Sequence, residues 1–301
     1  MKVNRYYLSA IATFLVFGFI SLPIKALHGY ASNQILFYRV TFALLCLLGI
    51  IGVFRRKSVT ATVRQYRAGL TAEKRKFIRC ALLGSLLLTV NWLSFIYAIN
   101  HISVQAGSFA YLVCPILTSL LGFLLLKEKL KLPQWVALGI CVLACGLIGV
   151  DSVRNLLFSL FIALSYAFYL ITQRILREYD RIVLLAMQVG LAFLILLCLG
   201  SGFRGTMPQE GYFYANIFVL SSVFTVLPLF LNAFSLKGLP ASTMGALMYL
   251  NPLINFALAF WYYDEKATSG QWLAYSLILV SVLIYNIRWE KWLVGERAVR
   301  V

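Results

Sequence analysis

Arg39 is the one charged side chain of this 301-residue sequence that falls clearly inside a long apolar run. A guanidinium at the bilayer centre costs roughly 2.5 to 3.5 kcal/mol on insertion scales, so something must compensate it. No Asp or Glu lies within any apolar run. That leaves carbonyls, Asn or Tyr side chains, water, or the anionic group of a ligand as partners. Arg39 lies only about five residues from the start of its run, so snorkelling to the outer surface is an equally open reading. Lys25, at the outer end of the preceding run, reads as an interfacial anchor or a gate. With Arg39 it would form a cationic pair suited to a carboxylate or phosphate.

Amides and aromatic rings accompany these cations. Asn91 and Trp92 precede Phe95, Tyr97 and Asn100; Ser165, Tyr166, Tyr169 and Gln173 share a later run; Tyr111 and Tyr249 lie deep in two others. Such groups suit an amphipathic or aromatic metabolite held by ring contacts and a few hydrogen bonds. Core filling and interfacial belts account for most of the 17 Tyr and 22 Phe. Asn251 and Asn255 flank Pro252, and facing a cavity satisfies carboxamides that lipid would leave unpaired. Pro115 and Pro252 each free a carbonyl one turn back, which suits a hinge or a ligand contact. They sit in matching stripes, Ser108, Pro115, Thr118 and Gly122 in one run and Gly245, Pro252, Asn255 and Ala259 in the other. Such small residues also permit close helix packing.

Catalytic signatures are missing. There is no HExxH, no Walker A loop, no GxSxG and no pair of intramembrane acids, which excludes an ATP-driven pump in a single chain and argues against an enzyme. No cofactor or metal is expected. The six cysteines lie in or beside apolar runs, like small core residues, and neither His28 nor His101 is placed for an intramembrane proton relay.

The elements that hold these residues follow from composition. The chain is 61% hydrophobic and 12% charged, against about 25% charged in a soluble domain. Apolar runs fall at 6–27, 35–54, 78–99, 104–126, 133–150, 155–173, 182–200, 213–236, 240–262 and 270–287. The expected fold class is all-α integral membrane, with ten transmembrane helices. The first run resembles a signal peptide in having Lys2 and Arg5 ahead of it, but it reaches spanning length and no clear cleavage site follows. The net charge of +17 would suggest nucleic acid on a soluble protein; here it orients the chain in a lipid bilayer, and no nucleic-acid partner is expected. With the N-terminus inside, 22 Lys and Arg fall on the cytoplasmic side and only Lys25, Arg154, Arg204 and Lys266 opposite, so both termini are expected in the cytoplasm. The long basic stretch 55–77 reads as a topology determinant, with an interfacial helix on the anionic inner leaflet as the alternative.

The sequence also repeats itself. A shift of 137 places Pro115 on Pro252, Phe123 on Phe260, Glu128 on Glu265, Gln134 on Gln271 and Trp135 on Trp272; a shift of 135 places Phe95 on Phe230. The unit is five spans, an odd number, so the second copy should enter the membrane from the opposite side. The loops agree, since the segment with Lys127, Glu128, Lys129 and Lys131 nets +2 and that with Asp264, Glu265 and Lys266 nets −1. Two inverted five-helix repeats, 1–150 and 151–288, with a cytoplasmic tail 289–301, are the expected organisation. Inverted repeats give many secondary transporters two similar states around a midplane site.

Several stretches resemble the RarD-like branch of the EamA drug/metabolite transporters. They are NWLSFIYAIN with Asn91 and Trp92, SFAYLVCP with Ser108, Tyr111 and Pro115, ILFYR ending at Arg39, ALSYAFY, and the C-terminal block from Phe224 to Lys266. The resemblance implies a ten-helix bundle in a bacterial inner membrane that exports or exchanges metabolites or drugs through a central cavity. It carries Lys25, Arg39, Asn91, Trp92, Tyr111 and Pro115 over as cavity or gate residues. This chain departs from that pattern in having Gln34 where an acid is usual, Phe17 for Trp, and Lys127 for Gly. The missing acid bears on proton coupling. The expected function is a secondary transporter of a small molecule, with Arg39 meeting an anionic group, Asn91, Asn251 and Asn255 giving hydrogen bonds, and Trp92, Tyr111 and Tyr249 forming aromatic walls. A receptor or scaffold is the alternative.

Overall fold

The computed structural model describes residues 5–127, 129–235, 238–239, 244 and 247–286. The described residues are helical throughout, joined by turns and loops. The helices are α1 Arg5–Gly18, α2 Ser21–Ala26, α3 Ser32–Ile50, α4 Arg56–Ala68, α5 Thr71–His101, α6 Val104–Leu126 and α7 Leu132–Asp151. In the second half follow α8 Val153–Ile175, α9 Arg181–Cys198, α10 Gly200–Arg204, α11 Gly211–Ser221, α12 Leu227–Ser235, α13 Leu250–Trp261 and α14 Ser269–Asn286. Seven stretches are long and apolar enough to cross a membrane, and three shorter apolar helices, Leu132–Ile148, Leu250–Trp261 and Ser269–Tyr285, fall where the fifth, ninth and tenth runs lie. Helices suit this setting because every interior backbone group is satisfied within the segment. Leu143, Leu157 and Leu283 point outward, each at least 60% exposed, an arrangement that lipid rather than water covers.

Two elements differ from the sequence expectation, and a third takes the helical form that one of its two readings allowed. The basic stretch after the second run is largely helical: α3 passes through a π-helical turn, Ile51–Arg55, into α4, and α5 begins seven residues before the apolar run at 78. The eighth run widens into a π turn at Ser222–Val226, two residues ahead of Pro228, where a proline lacks an N–H and crowds the carbonyl four residues back, inside the turn. The ninth run is broken at a turn on Tyr249, so Pro252 is the third residue of α13 rather than a mid-helix kink. At 12 residues α13 is about 18 Å long, short of the ~30 Å hydrocarbon thickness. Gly245, of the small-residue stripe, lies outside the described residues, as do Glu128, Lys237 and the tail 289–301.

The sequence repeat has a local structural counterpart. Lys127 and Asp264, 137 apart, are the two described non-glycine residues with positive φ, 55° and 52°. The next helix in each half opens on the same cap: Gln134 Oε1 accepts from Lys131 N at 2.8 Å, and Gln271 Oε1 from Thr268 N at 3.0 Å. Phe123 meets Trp135 at 5.3 Å between ring centroids, and Phe260 meets Trp272 at 4.6 Å. These are the residues matched by the 137 shift.

Helix pairing follows the same rule. α7 lies along α14, α6 against α8 and α13, α5 against α8 and α9, α3 against α9 and α11, and α1 against α12 and α13. Exchanging α1 with α8, α3 with α9, α5 with α11–α12, α6 with α13 and α7 with α14 leaves these pairings unchanged. Two large apolar cores result, beside two small clusters around Phe14 and Phe77. One is built from α2, α3, α5, α6, α8, α9 and α11, around Leu36, Ile96, Ile162 and Ile217. The other joins α6, α7, α13 and α14 around Phe109, Ile116, Tyr249 and Ile278. Gly18 lets α1 approach α13, since a Cβ there would stand 2.7 Å from the Ile254 side chain.

Candidate functional site

Arg39 is buried to 2% exposure in the larger core, not extended to the periphery. Its guanidinium carbon stands 4.5 Å from the centroid of the Trp92 ring, a contact of about 2 kcal/mol when desolvated. Nε and Nη2 both donate to Thr225 Oγ1, at 3.2 and 3.1 Å. The Thr225 hydroxyl in turn donates to the Leu220 carbonyl, five residues back across the π turn, at 2.8 Å. Its lone pairs therefore face the arginine. Ser221 Oγ donates to the Arg39 carbonyl at 3.0 Å, so the helix backbone is fixed beside the side chain. The cation–π contact is of the same order as the insertion cost of roughly 2.5 to 3.5 kcal/mol. Nη1 is left buried without a hydrogen-bond partner.

Asn91, one residue before Trp92 on α5, is fully buried and tied in three directions. Its Nδ2 donates to the Ile162 carbonyl at 2.9 Å and to Ser165 Oγ at 3.2 Å, and its Oδ1 accepts from Tyr111 OH at 3.2 Å. Tyr111 packs edge-on against Phe95 and Tyr166, at 5.2 and 5.5 Å, and Tyr166 stacks on Tyr169 at 5.6 Å. Helices α3, α5, α6, α8 and the π turn thus place a cation, a carboxamide and an aromatic wall together. This arrangement can bind an anionic group next to a flat apolar body; it holds no nucleophile with an adjacent base.

The other sequence candidates lie elsewhere. Tyr249 belongs to the second core. Asn255 Nδ2 donates to Asn251 Oδ1 at 2.9 Å and to its carbonyl at 3.3 Å, and Asn255 Oδ1 is buried without a partner. Pro115 is half-buried inside α6, with the Tyr111 carbonyl one turn back. Lys25 lies in the last turn of α2 with its ammonium 5.8 Å from the Tyr263 ring centroid. Gln34 donates to the Thr206 carbonyl at 2.5 Å, a partner that an ionised acid at this position would repel. Beside it, Tyr30 OH donates to Glu210 Oε2 at 2.5 Å, and this bond to a carboxylate raises the Tyr30 pKa above its ordinary value. Burial likewise pushes the Tyr263 hydroxyl up to about 12. Among the described residues no group of three or more His, Cys, Asp or Glu could hold a metal ion.

Thr225, Ser221 and Gln188 are absent from the sequence candidates. A lone Thr in an apolar run is an ordinary helix residue in the sequence. What marks Thr225 is its position opposite Arg39, which depends on the π turn.

A multi-span helical membrane protein with a cation buried among aromatic rings is the class that fold and site define. The chain belongs to the EamA-like transporter family, which matches residues 4–150 and 154–287. It is RarD-like: it is 26% identical to Protein RarD of Streptomyces exfoliatus over 281 residues, 91% of this chain and 85% of that protein. Protein RarD of Escherichia coli (strain K12) is 25% identical over 94% of each chain. An uncharacterized transporter, YojE, of Bacillus subtilis (strain 168) is 27% identical over 93% of each. A solved structure titled "Crystal structure of protein" shares the fold, with a TM-score of 0.60 at 16% identity over 94% of this chain and 97% of that one. The protein is thus a multi-pass membrane transporter.

Proposed function

We propose that this transporter is a secondary exporter or exchanger of small metabolites or drugs bearing an anionic group, working by alternating access. Ten crossings form two inverted repeats, 1–150 and 151–288, in the inner membrane, with both termini in the cytoplasm. The observation that carries the reading is the Arg39 guanidinium, 98% buried, with no carboxylate partner among the described residues and Nη1 unused. A ligand anion completes it, with Trp92, Tyr111 and Tyr166 against the ligand body. The exchange symmetry of the helix pairing supports two equivalent halves, and the odd number of runs per half supports their inversion. Pro115 serves as a hinge within α6 and Pro252 as one at the start of α13, just past the turn on Tyr249, with Asn251 and Asn255 as further polar contacts, Tyr249 as a second aromatic wall, and Lys25 as an outer gate.

The test is untargeted metabolite profiling of cells overexpressing the wild type and Arg39→Ala, followed by flux of the affected compounds into inverted vesicles. The wild type should give saturable flux that Arg39→Ala lowers at least tenfold, about 1.4 kcal/mol or more, at equal folded protein. Equal flux from the two proteins removes the role of Arg39. No flux from the wild type removes the transport mechanism.

A further inference from the structure

Arg39 has a counterpart. α3 and α9 lie against each other, and a shift of 149 aligns them so that Val40 falls on Val189, Ala43 on Ala192, and Arg39 on Gln188. Arg39 and Gln188 are each the eighth residue of their helices. The alignment holds in atoms. Ser221 Oγ of α11 donates to the Arg39 carbonyl at 3.0 Å, and Ser85 Oγ of α5 donates to the Gln188 carbonyl at 2.8 Å. Each side chain is fully or almost fully buried, at 2% and 0% exposure, and each keeps one buried nitrogen without a partner, Nη1 in one and Nε2 in the other.

We infer that Gln188 is a second binding station of the transport path, the neutral counterpart of Arg39, taking an uncharged acceptor oxygen of the transported molecule on the cytoplasmic side. This rests on the alternating-access reading. Gln188 Oε1 already accepts from Gln173 Nε2 at 2.8 Å, whereas its buried Nε2 has no acceptor, so the amide N–H is the group left to bind. The neighbouring Thr172 hydroxyl donates to the Tyr169 carbonyl at 2.7 Å. This neutral donor suits a carbonyl, amide or hydroxyl oxygen, whereas the charged guanidinium of Arg39 is the better match for a carboxylate. Gly84 covers the station here: a Cβ on it would collide with Gln188 Nε2 and crowd Thr172 Oγ1. Access requires α5 to lift from α9, as access to Arg39 requires α11 to lift from α3. The difference between Arg and Gln makes the two stations chemically unequal, so one molecule presents its anion to one and its neutral end to the other in successive states.

Thiol labelling tests this without knowledge of the substrate. In a background lacking the six native cysteines, Gln188→Cys, Arg39→Cys and the buried control Ala192→Cys are exposed to a membrane-impermeant methanethiosulfonate from either face of oriented vesicles. Gln188→Cys should react from the cytoplasmic face about tenfold faster than Ala192→Cys, since a minor open state of a few per cent suffices, and Arg39→Cys from the outer face. Reaction of Gln188→Cys from the outer face, or at the control rate, overturns the station. Should that background not fold, Gln188→Leu in the native chain decides: the metabolites that depend on Arg39 should be lost at least tenfold, and an unchanged profile overturns the proposal. A wild-type profile equal to that of the empty vector counts against transport itself, and labelling still judges the station.

Discussion

Asn91 organises the site more than its single side chain suggests. It joins α5, α6 and α8 through Ile162, Ser165 and Tyr111, and it holds the Tyr111 ring against Phe95 and Tyr166. Hydrogen bonds between membrane helices contribute about 0.6 kcal/mol on average and up to about 1.7. Asn91→Leu breaks three at once without changing volume much, so it should cost about 1 to 2 kcal/mol in detergent melts and loosen Tyr111. Thr225→Val is more selective. It removes the only described acceptor of Arg39 while preserving shape, and flux should fall at least as far as with Arg39→Lys, because the guanidinium loses its orientation as well as a partner. Flux with Thr225→Val equal to wild type would show that Trp92 alone holds the cation.

Among the elements, the paired turns after α6 and α13 are the most telling. Lys127 and Asp264 adopt left-handed backbone, φ 55° and 52°, a conformation that costs an L-residue roughly 1 to 2 kcal/mol relative to glycine. Lys127→Gly and Asp264→Gly should therefore each stabilise the protein, by up to about 1 kcal/mol once the extra freedom of glycine in the unfolded chain is discounted. Thermal unfolding checks both. Glycine would take this backbone without the Cβ penalty. The structure also shows what Glu265 does: its carboxylate accepts from the backbone N–H groups of Val104 and Gln105 at 2.7 and 3.0 Å. These are first-turn donors of α6 that have no intrahelical partner. The sequence repeat drew attention to Glu265 without showing that its task is to cap a helix of the other half.

For the whole molecule the decisive prediction is topological. If each half crosses five times, Lys131 and Thr268, equivalent first-turn caps of α7 and α14, face opposite compartments. Lys131→Cys should label from the cytoplasm and Thr268→Cys from outside with an impermeant reagent. Labelling of both from one face would remove the inversion and with it the mechanism. Charge alone supports this orientation through 22 cations against four, and the helix pairing supports two interchangeable halves.

The sequence by itself determined the helical membrane class, the placement of the apolar runs and the repeat. Each of these rests on local composition and on spacing along the chain, which survive without knowledge of neighbours. It also singled out Arg39, because one charge in an apolar run needs an explanation wherever it packs. Only tertiary structure decided that Arg39 turns inward to Trp92 and Thr225, that Tyr249 sits in a different core from Tyr111, and that Gln188 mirrors Arg39. Those facts depend on contacts between residues far apart in sequence, 186 apart for Arg39 and Thr225. They depend also on a π turn whose extra residue redirects one face of a helix, and no periodicity in the sequence records such a turn.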